Sequence, residues 1–131
     1  MAFIDGMKQY ADTEKPFLTL RETTITFSRL AVEQLEFASY IHMYTDEKRH
    51  IAAFVPSEND FSAIPFYKAP KEGKQALVRV SGKERIKALK DTAGITDCGK
   101  GIRFYGYFIE EEKTLVIEMT PGGDLIQETG K

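Results

Sequence analysis

Two stretches of seventeen residues in the sequence align with each other without a gap. Residues 40–56 read YIHMYTDEKRHIAAFVP, and residues 105–121 read YGYFIEEEKTLVIEMTP. The first tyrosine, a central Glu-Lys pair and the final proline coincide. Aromatic and β-branched residues on both sides of a charged centre are typical of a β-hairpin. Proline marks the end of the second strand, because it cannot donate a hydrogen bond to a neighbouring strand. The repeat predicts two similar halves.

A short strand, a serine and an amphipathic helix precede each predicted hairpin. The segments are TITFSRLAVEQL at residues 24–35 and ALVRVSGKERIKALKDTAG at residues 76–94. Ser81 and Glu84 have the spacing of a capping box, and Gly94 is placed to end the second helix. We therefore predict an α+β fold, in which duplicated β-α-β-β units share one core as a pseudo-dimer within one chain.

The predicted organisation is a single domain over residues 1–131. Its parts are an N-terminal arm (residues 1–20), repeat 1 (21–56), a polar linker with prolines (57–75), repeat 2 (76–121) and a tail (122–131). Apolar spacing in the two helices predicts that Leu35 and Leu89 are buried against the shared core.

Composition restricts the classes of protein to consider. The chain is 42% hydrophobic and 29% charged, as in globular proteins. Its apolar runs are too short for a membrane span, and acidic residues occupy the N-terminal stretch where a signal peptide has an apolar segment. Cys98 is the single cysteine, so neither an intrachain disulfide nor a paired-cysteine metal site can form. We expect a cytoplasmic protein that does not bind a membrane.

The stretch GITDCGKG, residues 94–101, resembles a phosphate-binding P-loop but departs from it in two ways. A P-loop follows a strand and precedes a helix, whereas here the predicted order is helix and then strand. Gly101 also stands where the magnesium-binding Ser or Thr of a P-loop would be. We expect no bound nucleotide and no cofactor.

Candidate metal and catalytic residues lack a supporting pattern. His42 and His50 lie in opposite arms of the first predicted hairpin, but no third ligand has a readable spacing. The acidic run Glu110–Glu112 is placed at a hairpin turn, where charges are usually solvated. Cys98 has no histidine placed by a known nucleophile pattern. We predict no metal site, no catalytic residues and no enzyme activity.

Seven aromatic residues in and around the predicted hairpins allow two interpretations. On an exposed sheet face they would stack nucleic-acid bases, and inside the molecule they would fill the core of a chain without tryptophan. Burial is the more frequent role of aromatic side chains, and we favour it. The residues are Tyr40, Tyr44, Phe54, Phe104, Tyr105, Tyr107 and Phe108.

Charge is unevenly distributed along the chain, although the net charge is only −2. Residues 1–66 carry a net −4 and residues 67–131 a net +2. Between Lys68 and Lys90, eight basic residues face only Glu72 and Glu84. Such a segment can attract an anionic partner even in an acidic protein, or it can form a solvated helix face.

The first repeat resembles the strand-helix-hairpin of AbrB-type swapped-hairpin transcription regulators. The resemblance covers residues 24–56 and extends more loosely to the second repeat. It is carried by Ile25 and Phe27, Ser28 at a position usually held by proline, Leu35, and the turn Asp46-Glu47-Lys48. The glycine that usually follows the helix in this family is replaced by Glu36-Phe37. The chain is also similar to uncharacterised small phage and integrative-element proteins of Gram-positive bacteria.

The resemblance implies a small DNA-binding or regulatory protein of the mobile-element type, with duplex DNA contacted near the strand-helix junctions. The residues implied are Arg21, Arg29, Arg79, Lys83 and Arg85. Arg103 joins them because it lies beside the aromatic strand. The alternative is a non-enzymatic interaction module that binds a host or phage protein through its aromatic sheet or acidic hairpins. The sequence leaves the oligomeric state open.

Rejection of the P-loop leads to a direct test. ATP or GTP with magnesium should leave the melting temperature unchanged, because a ligand that binds only the native state must raise it. The measurement is a thermal melt across a nucleotide titration. A saturable rise that Lys100→Ala removes would contradict the prediction.

Overall fold

The computed structural model describes residues 15–68, 78–120 and 124–125. These residues form nine strands and two α-helices. The strands are β1 (Phe17–Leu20), β2 (Ile25–Phe27), β3 (Tyr40–Asp46), β4 (Ile51–Ser57), β5 (Ile64–Pro65), β6 (Val78–Val80), β7 (Ile102–Ile109), β8 (Thr114–Glu118) and β9 (Asp124–Leu125); the helices are α1 (Arg29–Gln34) and α2 (Lys83–Ala93). Most of the predicted arm and tail, and the second half of the predicted linker, lie outside the described residues.

The strands form one antiparallel sheet that curls into a nearly closed barrel. Their order is β5-β3-β4-β8-β7-β1-β2-β6, and β9 pairs with β7 beside this path. The two ends of the path approach each other. The ring of Phe27 in β2 packs edge to face on Phe66, which follows β5, with 5.0 Å between centroids.

The predicted fold class, α+β with duplicated β-α-β-β units, is wrong: the protein is mostly β, with two short helices. The prediction gave the helices too much weight, since α1 has only six residues and α2 eleven. It also gave the segments outside the repeats too little weight. Residues 17–20, assigned to the arm, form β1 between β7 and β2, and Ile64–Pro65 within the predicted linker form β5. Pairing of these segments reduces exposed sheet edges, which favours a barrel.

Alternating burial shows which face of the sheet is the core. Leu18 pairs with Phe27 and Phe104, and Leu20 pairs with Ile25 and Ile102. All six are buried, and directly opposed residues lie on the same face of a sheet. The intervening residues of these strands therefore point away from the core.

The helices begin differently from each other. Ser28 caps α1 by accepting a hydrogen bond from the Ala31 N–H at 3.2 Å. By contrast, the N-cap of α2 is Gly82, which has no side chain to cap it, so the predicted capping box of Ser81 and Glu84 does not form. Gly94 ends α2 in the left-handed conformation, as predicted.

Burial of Leu35 and Leu89 is confirmed, since both side chains have no solvent exposure. No helix within the described residues has the length and apolar character required to cross a membrane.

Both predicted hairpins are present, but the gap-free alignment of their sequences does not match their structures. Asp46 pairs with Ile51 across the first turn, and Ile109 pairs with Thr114 across the second. Each turn thus has four residues and ends in a left-handed one, His50 or Lys113. The residues that are structurally equivalent in the two hairpins are therefore two positions away from those that the sequence alignment pairs. A shift of two keeps every side chain on its face, so the sequence pattern does not reveal it.

Strand β7 joins the two halves of the sheet at Gly106. Residues 102–105 pair with β1, and residues 106–109 pair with β8. The backbone of β8 passes so close to Gly106 that an added Cβ would lie 1.8 Å from the Val116 carbonyl oxygen and 2.8 Å from Ile117 Cα. Only glycine fits this position without displacement of β8.

Gly106→Ala should lower the free energy of unfolding by about 3 kcal/mol or more, because β8 has to move away from β7. Gly99→Ala is a matched control: Gly99 lies in the connection between α2 and β7, at φ 56°, and a Cβ there would meet nothing within 4 Å. The control should cost about 1–2 kcal/mol through its left-handed backbone alone. Urea denaturation of both variants measures the difference; equal losses would contradict the close approach at Gly106.

Candidate nucleic-acid interface

A row of polar side chains crosses the outer face of the sheet. Arg103 of β7 pairs with Thr19 of β1, Thr19 pairs with Thr26 of β2, and Thr26 pairs with Arg79 of β6. These four residues alternate with core residues of the same strands, so they lie on the other face of the sheet, where Arg79 is exposed and Thr19 is buried. With neighbouring strands about 4.8 Å apart, the row extends about 14 Å from Arg103 to Arg79. It brings together two of the arginines predicted from the sequence.

Arg21 joins this row from the turn after β1. Its guanidinium lies 3.5 Å from the Thr26 hydroxyl, at the outer limit of a hydrogen bond. Arg21 and Arg79 are therefore neighbours on either side of Thr26, and both are exposed. We call Arg21, Arg79, Arg103 and the two threonines the arginine row.

Arg103 is the most constrained member of the row. Its guanidinium carbon lies 4.1 Å from the centre of the Phe17 ring, a cation–π contact. Phe17 in turn packs edge to face on Tyr105, with 5.6 Å between centroids. The Nε atom of Arg103 is buried and has no hydrogen-bond partner in the described part of the chain. This residue is held against the sheet, whereas Arg21 and Arg79 extend from it.

A groove of about 760 Å³ adjoins the arginine row at Arg79. It lies where the barrel is nearly closed, between the segment that follows β5 and strand β6. The lining residues from the described part of the chain include aromatic rings and two cations but no carboxylate: Phe37, Ser39, Tyr40, Pro65, Phe66, Tyr67, Lys68 and Arg79. We call this the seam groove. Phe37 and Tyr67 contact each other edge to face, with 5.1 Å between centroids.

Other basic residues predicted as contacts lie outside the row. Arg29 is paired with Glu33 at 3.0 Å on α1. Lys83 and Arg85 lie in the first turns of α2, where the Arg85 guanidinium donates to the Ser81 carbonyl at 3.0 Å. The structure thus unites Arg21, Arg79 and Arg103 and leaves the other three predicted residues apart from them.

The rest of the basic segment is largely paired with acidic residues. Lys87 contacts Asp91 at 2.9 Å, one helical turn away. Lys90 contacts Glu22 at 2.7 Å, across to the turn between β1 and β2. Lys71 and Lys74 lie outside the described residues. Lys68 and Arg79 are the members of this segment that line the seam groove.

Glu22 accepts hydrogen bonds from Lys90 and from the Cys98 N–H, each at 2.7 Å. We call these three residues, which meet at the turn that carries Arg21, the buttress. The Lys90 hydrogen bond, followed by that of Cys98, lowers the pKa of Glu22 to about 2. The same Lys90–Glu22 hydrogen bond raises the pKa of Lys90. The buttress fixes the turn that carries Arg21.

Two backbone amides of residues 94–101 donate hydrogen bonds to carboxylates of the protein itself. It follows α2 and precedes β7, the order predicted from the sequence. Asp97 accepts a hydrogen bond from the Gly99 N–H at 2.8 Å, and Glu22 accepts from the Cys98 N–H. Carboxylates therefore occupy amides that a P-loop would present to phosphate.

The seven aromatic residues divide between the two interpretations. Phe54 and Phe104 are buried in the core, and Phe108 packs against it. Tyr44 and Tyr107 are exposed, at 58% and 49%. Sequence reasoning missed Phe37 and Tyr67 of the seam groove, because they lie outside the predicted strands. The sequence did contain one signal for Phe37: it is a large apolar residue that follows the predicted helix, where a glycine would usually end the helix.

Ser62, His42 and Asp60 form a cluster with the residue types of a catalytic triad but not its geometry. Both Asp60 oxygens lie 3.0–3.1 Å from Nε2 of His42, and the Ser62 hydroxyl lies 3.4 Å from the same nitrogen. In a triad the carboxylate binds Nδ1 and leaves Nε2 to the nucleophile. The cluster instead fixes the loop that carries the exposed Phe61. The His42 hydrogen bond lowers the pKa of Asp60.

His50 and Cys98 also have structural partners. His50 lies in the first hairpin turn, apart from His42, and its Nδ1 donates to the Thr92 carbonyl at 2.7 Å. Cys98 is fully buried, and burial raises the pKa of its thiol, which disfavours the reactive thiolate. Among the residues that the structure describes, no three His, Cys, Asp or Glu side chains are grouped as metal ligands.

Comparison with known proteins adds no relative. No protein-family model matches the chain, and no curated protein or solved structure is significantly similar to it.

Protonation of Glu22 should weaken the buttress. A lowered pKa means that its stabilisation is present above pH 4.5, the ordinary value, and is lost as the pH falls toward about 2. In Glu22→Gln the melting temperature should be lower than wild type at neutral pH and should fall less between pH 4.5 and 2. Glu111→Gln, at an exposed turn position, is the control and should keep the wild-type pH dependence. Identical pH profiles for Glu22→Gln and wild type would refute this role.

Proposed function

We propose that the protein binds nucleic acid through the arginine row and the adjoining seam groove. One observation carries the proposal: Arg21 and Arg79 stand beside Thr26 on an outward sheet face, and Lys68 lies with Arg79 in the groove. Arginine guanidinium groups and threonine hydroxyls are common hydrogen-bond donors to phosphate oxygens. Arg21, Lys68 and Arg79 are exposed, and the paired strands β2 and β6 position Thr26 and Arg79.

Pairing of the other charges supports the choice of this surface. Of the charges around the turn and helix beside it, Glu22 is matched by Lys90, and Asp91 by Lys87. Among the residues that the structure describes, none that lines the groove is a carboxylate. A local positive potential can therefore form on a protein with a net charge of −2.

The proposal keeps the DNA-binding role that the resemblance to AbrB-type regulators implies, and it assigns that role to a sheet face instead of the strand-helix junctions. Regulatory action, an origin in a mobile element and a cytoplasmic location belong to the same proposal. It describes a binding protein without catalytic residues, in line with the arrangement of Ser62, His42 and Asp60.

Reversal of Arg21 and Arg79 to Glu together should abolish binding to DNA at low salt, because two phosphate contacts become repulsive. Four phosphate contacts, from Arg21, Lys68, Arg79 and Arg103, give the wild type a log–log salt slope of about −3.6 on duplex DNA. Fluorescence anisotropy over a salt series measures both quantities.

The matched control is the double variant Lys48→Glu and Lys83→Glu, which changes the net charge equally at exposed sites outside the arginine row. It should retain most of the affinity and the salt slope. Equal losses in the two double variants would show an effect of net charge alone. Absence of wild-type binding at about 50 mM salt would overturn the proposal.

A second candidate function, protein binding, rests on the row Tyr44–Ala53–Val116–Tyr107, whose two tyrosines are exposed. Strands β3, β4, β8 and β7 place these residues in register on the outer face. Two exposed tyrosines beside small apolar residues resemble the centre of a protein interface, where tyrosine is enriched. Asp46 and Glu118 flank the row on both sides of Ile51. Asp46 is paired with Arg49 at 2.9 Å, so Glu118 is the carboxylate that favours a cationic partner here.

Tyr44→Glu and Tyr107→Glu should remove a protein partner that depends on this face, since charge would replace apolar contact area. Co-purification with tagged wild type and with each variant measures the loss. The variant with Arg21 and Arg79 reversed is the control and should keep the same partner. A partner retained by both tyrosine variants would exclude this face.

A further inference from the structure

The seam groove contains an aromatic side chain that the fold leaves exposed. Phe37 is 47% exposed, although phenylalanine is usually buried. It contacts Tyr67, whose N–H donates to the Ala38 carbonyl at 3.0 Å, so the ring pair is attached to a continuation of the sheet. The two rings form an apolar surface beside Lys68 and Arg79.

The backbone that presents Phe37 is strained. Glu36 and Phe37 both have positive φ angles, 59° and 54°, in a turn without glycine. This conformation is uncommon for any residue with a side chain and is an outlier for a bulky one. Hydrogen bonds hold it, including one from the Phe37 N–H to the Val32 carbonyl at 3.1 Å. Strained residues of this kind are concentrated at binding sites.

We propose that the seam groove binds a base of single-stranded nucleic acid, with the base stacked against Phe37 and its phosphates at Lys68 and Arg79. This inference rests on the proposed nucleic-acid function and specifies the form of its ligand. An aromatic surface next to the cations Lys68 and Arg79 matches a planar group attached to an anion. A volume of about 760 Å³ is in the range of ligand pockets and can accept a nucleotide.

A single strand fits the groove better than a duplex does. In a duplex each base is stacked on its neighbours, and it must leave the stack before its face can contact a side chain. Bases of a single strand are accessible for stacking on aromatic residues. Arg79 both lines the groove and belongs to the arginine row. The sugar-phosphate chain of a strand can therefore continue from the groove toward Thr26 and Arg21. A free nucleotide is too short to make these additional contacts.

The absence of tryptophan from the chain allows a specific probe. In Phe37→Trp the introduced residue is the single tryptophan of the chain and lies in the groove. Its fluorescence emission should be quenched when a base stacks on it. Phe61→Trp is the matched control, because Phe61 is a fully exposed phenylalanine on the β4–β5 loop, outside the groove lining. Single strands of about 12 nucleotides are titrated, together with the duplex of the same sequence, an abasic strand of equal length and thymidine monophosphate.

The expected result is saturable quenching of Phe37→Trp by the single strand, with little change in Phe61→Trp. By anisotropy, Phe37→Ala should weaken single-strand binding about 10-fold and leave duplex binding within about twofold. Abasic strand and thymidine monophosphate should bind at least 10-fold more weakly than the intact strand. Circular dichroism of each variant verifies the fold.

Three outcomes separate this inference from the proposed function. Salt-dependent binding by anisotropy, with unchanged emission of Phe37→Trp, would overturn the base site and leave nucleic-acid binding in place. Equal affinity for thymidine monophosphate and the strand would overturn the choice of a polymer. Absence of any binding at low salt would overturn both proposals together.

Discussion

The close approach of two backbones at Gly106 is the constraint on which the rest of the structure depends. At this residue β7 changes partners from β1 to β8, so one continuous strand belongs to both halves of the barrel. The buried side of β7 presents Ile102, Phe104 and Gly106. Its outer side presents Arg103, Tyr105 and Tyr107 at alternate positions. The arginine row and the exposed tyrosine row are thus neighbours along one strand, with Tyr105 and Phe17 between them.

Electrostatic pairing, more than the number of basic residues, determines which surface can attract phosphate. Lys87 and Lys90 belong to the most basic segment of the sequence, yet Asp91 and Glu22 neutralise them. Arg79 belongs to the same segment and stands on an edge strand beside Arg21. Glu22 contributes indirectly, because its contacts with Lys90 and Cys98 fix the turn next to Arg21. The buttress and the arginine row share this turn.

The turn after α1 shows how local strain is retained by tertiary contacts. Left-handed backbone at Glu36 and Phe37 costs about 1–3 kcal/mol per residue, which a glycine would avoid. The Glu36 carboxylate contacts Lys113 in the second hairpin turn at 3.0 Å, and Phe37 contacts Tyr67. Both contacts join segments that are distant in sequence. Phe37 is held at the groove by a conformation that the sequence alone would not favour.

The sequence by itself determined the locally encoded features: the presence of two hairpins with charged turns, the end of α2 at Gly94, and the burial of Leu35 and Leu89. Each depends on residues close together in the chain, where turn chemistry and apolar spacing act directly. Tertiary structure alone decided the barrel, the strand β1 within the predicted arm, and the union of Arg21, Arg79 and Arg103. It also decided the seam groove, whose lining comes from three separated segments. Pairings such as Phe17–Leu20 with residues 102–105 form between segments more than 80 residues apart. Their register depends on the shared core and on the fit at Gly106, which no local pattern encodes.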